Sequence, residues 1–95
     1  MSKVYISGPM SGHPELNFPA FHAKAAELRL QGRHVVNPAE IPQPDPTSWH
    51  ECMKADLKQM MDCETIHMLQ GWRHSDGAKM ELALAVALNF TVEYA

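Results

Sequence analysis

Short apolar runs alternate, along the 95 residues of the chain, with segments whose apolar residues recur every three or four positions. The runs are rich in β-branched and aromatic residues and end near glycine, proline or asparagine, which predicts buried strands. The intervening segments have the spacing of helices with one apolar face. The predicted strands cover residues 3–7, 33–37, 64–69 and 91–94, and the predicted helices lie between Asn17 and Gly32, from Ser48 to Met60 and over 79–88.

Capping residues indicate where the predicted helices begin. Asn17 is a candidate N-cap, with Pro19 in the first turn of the helix that follows. Ser48 and Glu51 form a capping-box pattern at the start of the second helix. The proline-rich segment 38–46, just before that helix, predicts a loop that is long enough to have a function.

The alternation of strand and helix predicts the fold class. It implies right-handed βαβ crossovers and therefore a three-layer α/β sandwich of the flavodoxin or Rossmann-like kind, with a parallel sheet of about four strands and helices on both faces. We expect a single domain over residues 1–95. In such sheets ligands bind beyond the carboxyl ends of the strands. The loops 8–16 and 70–75, which follow the first and third strands, are therefore expected to border one crevice.

Charge and composition exclude several functional classes. The net charge is −3 and no block of Lys or Arg is present, so we expect no binding to duplex nucleic acid. No apolar run approaches the length of a membrane span and no basic, apolar leader precedes the first strand, so we expect a cytoplasmic protein without a membrane partner. Cys52 and Cys63 are then expected to be reduced thiols. A chain of this length buries only about two thirds of its unfolded surface, which favours association with another copy.

Asp56 occupies an unusual position on the second helix. It follows Met53 by three residues and precedes Met60 by four, so it lies on or beside the apolar stripe. A carboxylate there is paired, capped or used chemically. The alternative is an edge position from which the side chain reaches water.

Glu81 is the second carboxylate in an apolar setting. Its helical neighbours are small or apolar: Gly77, Ala78, Leu84 and Ala85. The nearby helix start favours an ionised Glu81, as a nucleophile requires. The alternative is a solvated glutamate on an exposed edge of the helix.

The other candidate motifs are weaker. The turn "GPMSG", which begins at Gly8, resembles a phosphate-binding turn only loosely because Pro9 has no N–H to donate. Ser75 is interpreted as an N-cap, and Tyr5 as a core residue whose hydroxyl reaches a polar partner. The six histidines are scattered, and His50 with its neighbouring cysteine lacks the companions of a zinc site, so we expect no metal.

Five segments together, "VYISGPMSG", "NFPAF", "VVNPAEI", "ADLKQMMDCETIHMLQGW" and "SDGAKMELALA", resemble the small phage and bacterial proteins related to nucleoside 2-deoxyribosyltransferases. The resemblance spans nearly the whole chain. It implies that Glu81 is the nucleophile, that Asp56 handles the base or the proton passed to it, and that the Tyr5 hydroxyl orients the glutamate. It further implies that Gly8 belongs to the turn that lines the sugar or phosphate and that Ser75 lies at the 5′ end of the sugar.

The same resemblance implies the reaction class. The superfamily includes transferases that exchange bases on deoxyribose and hydrolases that release the base from deoxynucleoside monophosphates, in both cases without a cofactor. Its members take a site residue from a neighbouring subunit, so a homodimer or higher homo-oligomer is expected, although this chain shows no clear equivalent of that residue. The predicted substrate-binding residues, besides Gly8 and Ser75, are Met10, Ser11, Gly12, Trp72, Arg73 and Gly77.

Several alternatives stay open at this point. The nucleotide hydrolases have an arginine in the first loop, where this chain has Ser11, Gly12 and His13, so both nucleosides and 5′-monophosphates are candidate substrates. Monophosphates are favoured, because the N–H groups of residues 10–12 and of the "SDGA" helix start are expected to face an anion, with charge supplied by Arg73 or His74. Two rival functions from other classes are a catalytically silent nucleotide-binding module and a phage-encoded interaction module on the same fold.

Overall fold

The computed structural model describes residues 3–95, which fold into four strands and three helices. Short 3-10 turns lie in the loops, at Pro14–Asn17, Pro38–Glu40 and Trp72–His74. The strands are β1 (Lys3–Ser7), β2 (His34–Val36), β3 (Thr65–Met68) and β4 (Thr91–Tyr94), and the helices are α1 (Phe18–Leu30), α2 (Trp49–Met60) and α3 (Asp76–Ala87).

The four strands form one parallel sheet in the order β2-β1-β3-β4. The chain moves outward from β1 to β2 and then crosses back over β1 to β3, so the strand order reverses between β1 and β3. This is the point at which doubly wound sheets bind their ligands. The predicted parallel α/β class is confirmed.

Side chains of β1 alternate between the two faces of the sheet and so belong to two separate cores. Val4 and Ile6 pack with the buried α1 residues Phe21, Ala25 and Leu28. Tyr5, between them in sequence, faces the other way. It packs with buried residues of α2, β3 and α3: Met60, Ile66, Met68, Ala78 and Ala85. One helix therefore covers one face, and two helices cover the other.

Two of the three predicted helix caps are confirmed. Ser48 Oγ accepts the N–H of Glu51 at 3.2 Å, and Ser75 Oγ accepts the N–H of Ala78 at 3.1 Å. Because Ser75 is the cap, α3 begins at Asp76, three residues before the predicted start.

Asn17 precedes α1 as predicted, but its side chain does not cap the helix. Its Nδ2 instead donates to the carbonyl of Pro9 at 2.9 Å, which ties the end of the first loop back to its beginning. Glu15, Leu16 and Asn17 all have left-handed backbone conformations, with φ of 54°, 53° and 61°. Three consecutive strained residues of this kind are tolerated where the loop has to keep a particular course.

Candidate active site

Glu81 is buried at the carboxyl end of β1, and both of its carboxylate oxygens accept hydrogen bonds. The Tyr5 hydroxyl donates to Oε2 at 2.7 Å, and Ser7 Oγ donates to Oε1 at 2.6 Å. The side chain of Glu81 is only 5% exposed. The alternative of a solvated glutamate is therefore wrong.

The period of two along β1 places both donors on one face. Tyr5 and Ser7 are two residues apart in a fully buried stretch, so both side chains point toward α3. Ser7 was not among the predicted site residues. The sequence pattern that could have identified Ser7 is its spacing: it lies two residues after Tyr5, on the same face of the strand and at the end where ligands bind.

Burial sets the charge state of the Glu81 carboxyl. Desolvation raises its pKa from 4.5 to about 7, against the opposing effect of the hydrogen bonds from Ser7 and Tyr5, while the charge of Asp56 adds to the rise. The nearby helix start does not keep the group fully ionised, contrary to the expectation from sequence. Burial and the adjacent Glu81 also hold the pKa of Tyr5 well above its usual value, so this hydroxyl remains a donor.

Asp56 is also buried, at 8% exposed, so the alternative in which it reaches water is wrong. Its Oδ1 accepts a hydrogen bond from Gln43 Nε2 at 3.1 Å. Burial raises the pKa of Asp56 to about 6, and the bond from Gln43 limits that rise. Gln43 lies in the proline-rich loop, where no local pattern distinguishes it from its neighbours.

A crevice of about 240 Å³ contains both carboxylates. This is slightly below the roughly 300 Å³ at which ligand pockets usually begin, so the crevice suits a small ligand. It is bordered by the loop after β1, the loop after β2, and helices α2 and α3. The lining residues are Tyr5, Gly8, Met10, Ser11, Leu16, Phe21, Pro38, Pro46, Thr47, Trp49, Cys52, Met53, Asp56, Ser75, Gly77, Ala78 and Glu81.

The two loops predicted to border the crevice contribute unequally. The loop after β1 forms a wall, as expected, but the loop after β3 contributes only Ser75. The proline-rich loop contributes Pro38 and Pro46, and the residues that follow it contribute Thr47 and Trp49, none of which were predicted. The sequence indicated that the proline-rich loop was long enough to be functional, but not which side chains it would present.

Three predicted substrate-binding residues lie outside this crevice. Gly12 has φ of +82° at an exposed turn that is closed by a hydrogen bond from His13 N to Met10 O. Trp72 and Arg73 line a different cavity, beside the end of β4. The other predicted residues, Gly8, Met10, Ser11, Ser75 and Gly77, line the crevice together with the three predicted catalytic residues.

Two glycines at the site lie where a Cβ would approach a neighbouring side chain closely. A Cβ on Gly8 would lie 2.8 Å from Leu69 Cβ, a contact that real side chains do not make. A Cβ on Gly77 would lie 3.2 Å from Met53 Sδ, at the crevice wall. Gly8 therefore permits the strand-to-loop packing, whereas Gly77 leaves space for a ligand.

The arrangement is suited to chemistry that uses two carboxyl groups. Glu81 is held in one orientation by two neutral donors, and Asp56 approaches from another helix with a pKa that leaves it partly protonated near neutral pH. Such a pair can act as nucleophile and acid.

Within residues 3–95 no three His, Cys, Asp or Glu side chains cluster closely enough to hold a metal ion. Across that same range, no helix has both the length and the apolar character needed to span a membrane.

Comparison with known proteins supplies a family. A comparison with curated proteins finds no match. Residues 2–94 match the family described as Domain of unknown function (DUF4406), and because this match covers nearly the whole chain, the protein belongs to that family.

Proposed function

We propose that the crevice binds a 2′-deoxynucleoside or its 5′-monophosphate and that Glu81 cleaves or transfers its N-glycosidic bond. The observation that carries the proposal is the buried Glu81 carboxylate, fixed by the hydroxyls of Tyr5 and Ser7 in a crevice that also contains Asp56. The resemblance to nucleoside 2-deoxyribosyltransferases assigns roles to three of these four residues.

The proposed reaction has two steps. In the first, a carboxylate oxygen of Glu81 forms a bond to the anomeric carbon while the bond from that carbon to the base nitrogen breaks. The electron pair of the broken bond goes to the base, which takes a proton from Asp56. In the second, water or another base attacks the anomeric carbon, releases the Glu81 carboxylate and returns a proton to Asp56. This is the double displacement of retaining glycosidases.

The surroundings of Glu81 are consistent with an oxocarbenium-like transition state. Within residues 3–95 no lysine, arginine or histidine pairs with this carboxylate, so its negative charge is available to the developing positive charge on the sugar. The hydroxyl donors fix its orientation without neutralising it. A 2′-deoxy sugar forms the cation more readily because it lacks the electron-withdrawing 2′-hydroxyl.

A 5′-phosphate is the favoured form of the substrate. The helix α3 begins at the crevice, and the N–H groups of Asp76 and Gly77, in its first turn, have no acceptor within the helix. Ser75 uses its hydroxyl to cap Ala78 and leaves those N–H groups for an anion. A cytoplasmic location, which we also propose, would give the protein access to nucleotides.

A catalytically silent nucleotide-binding module is the second candidate. One observation favours it: with a pKa of about 7, the Glu81 carboxyl is only partly ionised at neutral pH and is a weaker nucleophile than a fully ionised glutamate. This module would bind nucleotides in the same crevice and release no base.

We also propose a homodimer or higher homo-oligomer. The outer side of α3 exposes a group of apolar residues: Met80, Ala83, Val86, Ala87 and Leu88. A stable interface would bury on the order of 1,200 Å² or more. Light scattering at micromolar concentration is expected to report at least a dimer, and Val86→Asp is expected to dissociate it. An active monomer would contradict this proposal.

The decisive experiment compares wild type with Glu81→Gln. Each is incubated with a panel of deoxynucleosides and their monophosphates, with and without acceptor bases, and free or exchanged base is measured by chromatography. If Glu81 is the nucleophile, Glu81→Gln lowers turnover roughly a thousandfold, or about 4 kcal/mol of barrier. Base release from wild type excludes the silent module, and an unchanged rate in Glu81→Gln excludes the proposed mechanism.

A further inference from the structure

A second cavity lies beside the crevice on the same edge of the sheet. It has a volume of about 290 Å³ and lies between the 3-10 turn after β3 and the end of β4. Its principal side chains are Trp72, Arg73, His74 and Tyr94, and we call it the aromatic cavity. None of these residues takes part in the reaction proposed above.

Two rings form the apolar part of the aromatic cavity. The centroids of Trp72 and Tyr94 are 6.0 Å apart and the rings are inclined by 35°. Tyr94 is 59% exposed, so much of its ring remains open to a ligand. An open aromatic surface of this kind stacks with a planar base of any identity.

Arg73 supplies a positive charge beside these rings. Its guanidinium carbon lies 4.9 Å from the centroid of the Trp72 ring. Among the arginines of residues 3–95, Arg29 and Arg33 each form a two-pronged ion pair with a glutamate, whereas Arg73 has no carboxylate partner. In a chain with a net charge of −3, this cation is available to an anionic ligand.

A depression with lining residues in common with both lies between the crevice and the aromatic cavity. It has a volume of about 390 Å³ and shares Ser75 and Gly77, among other residues, with the crevice. It shares His74 with the aromatic cavity. The shared residues trace a furrow from Glu81, past the start of α3, to Arg73. Asp76 also lines this path, and its carboxylate lies 3.5 Å from Nζ of Lys79, which offsets its charge. The first part of this path, from Glu81 to Asp76, spans five residues of helix, or about 8 Å along its axis.

We propose that the ligand of this furrow is a dinucleotide, in which the 5′-phosphate of the reacting nucleotide is joined through a second phosphate to another nucleoside. The glycosidic bond of the reacting half lies at Glu81, the phosphates follow the depression toward His74 and Arg73, and the second base stacks on Trp72 and Tyr94. This inference rests on the proposed function for the reacting half, and it extends the substrate class from mononucleotides to phosphate-linked dinucleotides.

The test uses two probes with the same reacting deoxynucleoside. One is its 5′-monophosphate, and the other is its 5′,5′-pyrophosphate with adenosine. The kcat/KM for base release is expected to be about tenfold or more higher for the dinucleotide, the gain that stacking of one base provides. Trp72→Ala and Arg73→Gln are each expected to reduce that preference about tenfold. Lys58→Gln removes a positive charge from the exposed side of α2 and is expected to leave the preference intact.

Two further measurements distinguish failure of the dinucleotide proposal from failure of the proposed function. Arg73→Gln alters an exposed side chain, and so it decides the result if Trp72→Ala fails to fold. Calorimetric binding of both probes to Glu81→Gln reports on the furrow without catalysis. If no base is released but the dinucleotide binds about tenfold more tightly than the monophosphate, and Arg73→Gln removes that advantage, the furrow is supported and the glycosidase is not. Equal kcat/KM and equal affinity for the two probes overturn the dinucleotide proposal and leave the proposed function standing.

Discussion

The Tyr5 hydroxyl donates a 2.7 Å hydrogen bond to Oε2 of Glu81, 76 positions away in the sequence. The partner of this buried carboxylate is thus a neutral group, and the same is true of Ser7 on the other oxygen. Neutral donors stabilise the charge less than an arginine would, so burial dominates and the pKa of Glu81 rises to about 7. Near pH 7 the Glu81 carboxyl is therefore present in both its protonated and its ionised form.

The raised pKa of Glu81 predicts that the wild-type protein loses stability as the pH rises. The folded pKa of Glu81, about 7, exceeds the ordinary 4.5, so the folded state binds the proton more tightly and the unfolding free energy falls between these values. The full effect is about 3 kcal/mol and is present above pH 7. The raised pKa of Asp56, about 6, acts in the same direction. Urea unfolding at pH 5, 6, 7 and 8 measures this decline.

Glu81→Gln is expected to reduce that decline and to be at least as stable as wild type at pH 8. The hydroxyls of Tyr5 and Ser7 can turn to accept from the new amide, so no buried group loses its partner. Glu27→Gln, on the exposed side of α1, is the control. If Glu81→Gln is less stable by a few kcal/mol at every pH, Glu81 is instead a structural partner that Tyr5 and Ser7 require.

A bell-shaped dependence of kcat/KM on pH is the second prediction. The proposed reaction needs Glu81 ionised and Asp56 protonated, and the active form carries one proton on the pair. With pKa values of about 7 and about 6, the two limbs of the profile are expected near those values and the maximum lies between them. Initial rates of base release at low substrate concentration measure the profile. A rate that is constant from pH 5 to 8 would argue against the pair.

Tyr5→Phe tests the contribution of the hydroxyl to this profile. Removing the donor from Oε2 raises the pKa of Glu81 further, so the alkaline limb is expected to move to higher pH and the maximal rate to fall by roughly tenfold. Ser7→Ala removes the donor from the other oxygen and is expected to act in the same direction. A fall in rate without a shift of the limb would mean that Tyr5 acts only by orienting Glu81 and does not change its pKa.

The fold could be predicted because its signals are local. Each strand is a short β-branched run, α1 and α2 bury apolar residues at helical spacing, and α3 is apolar nearly throughout. Their alternation with the strands allows few topologies. The remaining errors are at element ends. The start of α3 was predicted at Lys79, although the cap at Ser75 adds Asp76, Gly77 and Ala78 to the helix. Asn17 has the right composition for a cap, but its side chain donates to Pro9 instead.

The candidate site could be predicted only where a polar residue interrupts an apolar pattern. Glu81 and Asp56 interrupt helical stripes, and both prove to be buried. Gln43 gives no such signal, because its contact with Asp56 depends on the path of a loop that no periodicity describes. For the same reason, the sequence could not show that Trp72 and Arg73 line a different cavity. Ser75, only two residues after Arg73, lines the crevice.

Substitutions of two glycines test two different roles: Gly8 is expected to be needed for packing, and Gly77 for ligand binding. Gly8→Ala is expected to destabilise the fold by roughly 1–3 kcal/mol, because the new Cβ would lie 2.8 Å from Leu69 Cβ and neither atom can move without its backbone. Thermal unfolding measures this loss. An unchanged melting temperature would mean that β1 and the segment after β3 can separate without cost.

Gly77→Ala is expected to behave in the opposite way. Gly77 lies in the first turn of α3 with no unusual φ, so alanine favours the helix, and the nearest atom is the flexible thioether of Met53 at 3.2 Å. The melting temperature is therefore expected to stay the same or rise. The added methyl projects into the crevice beside Ser75, where it takes space from the ligand, so KM for the best substrate of the panel is expected to increase roughly tenfold. If Gly77→Ala leaves both stability and KM unchanged, the substrate does not approach the start of α3, and the orientation proposed for its 5′ end is wrong.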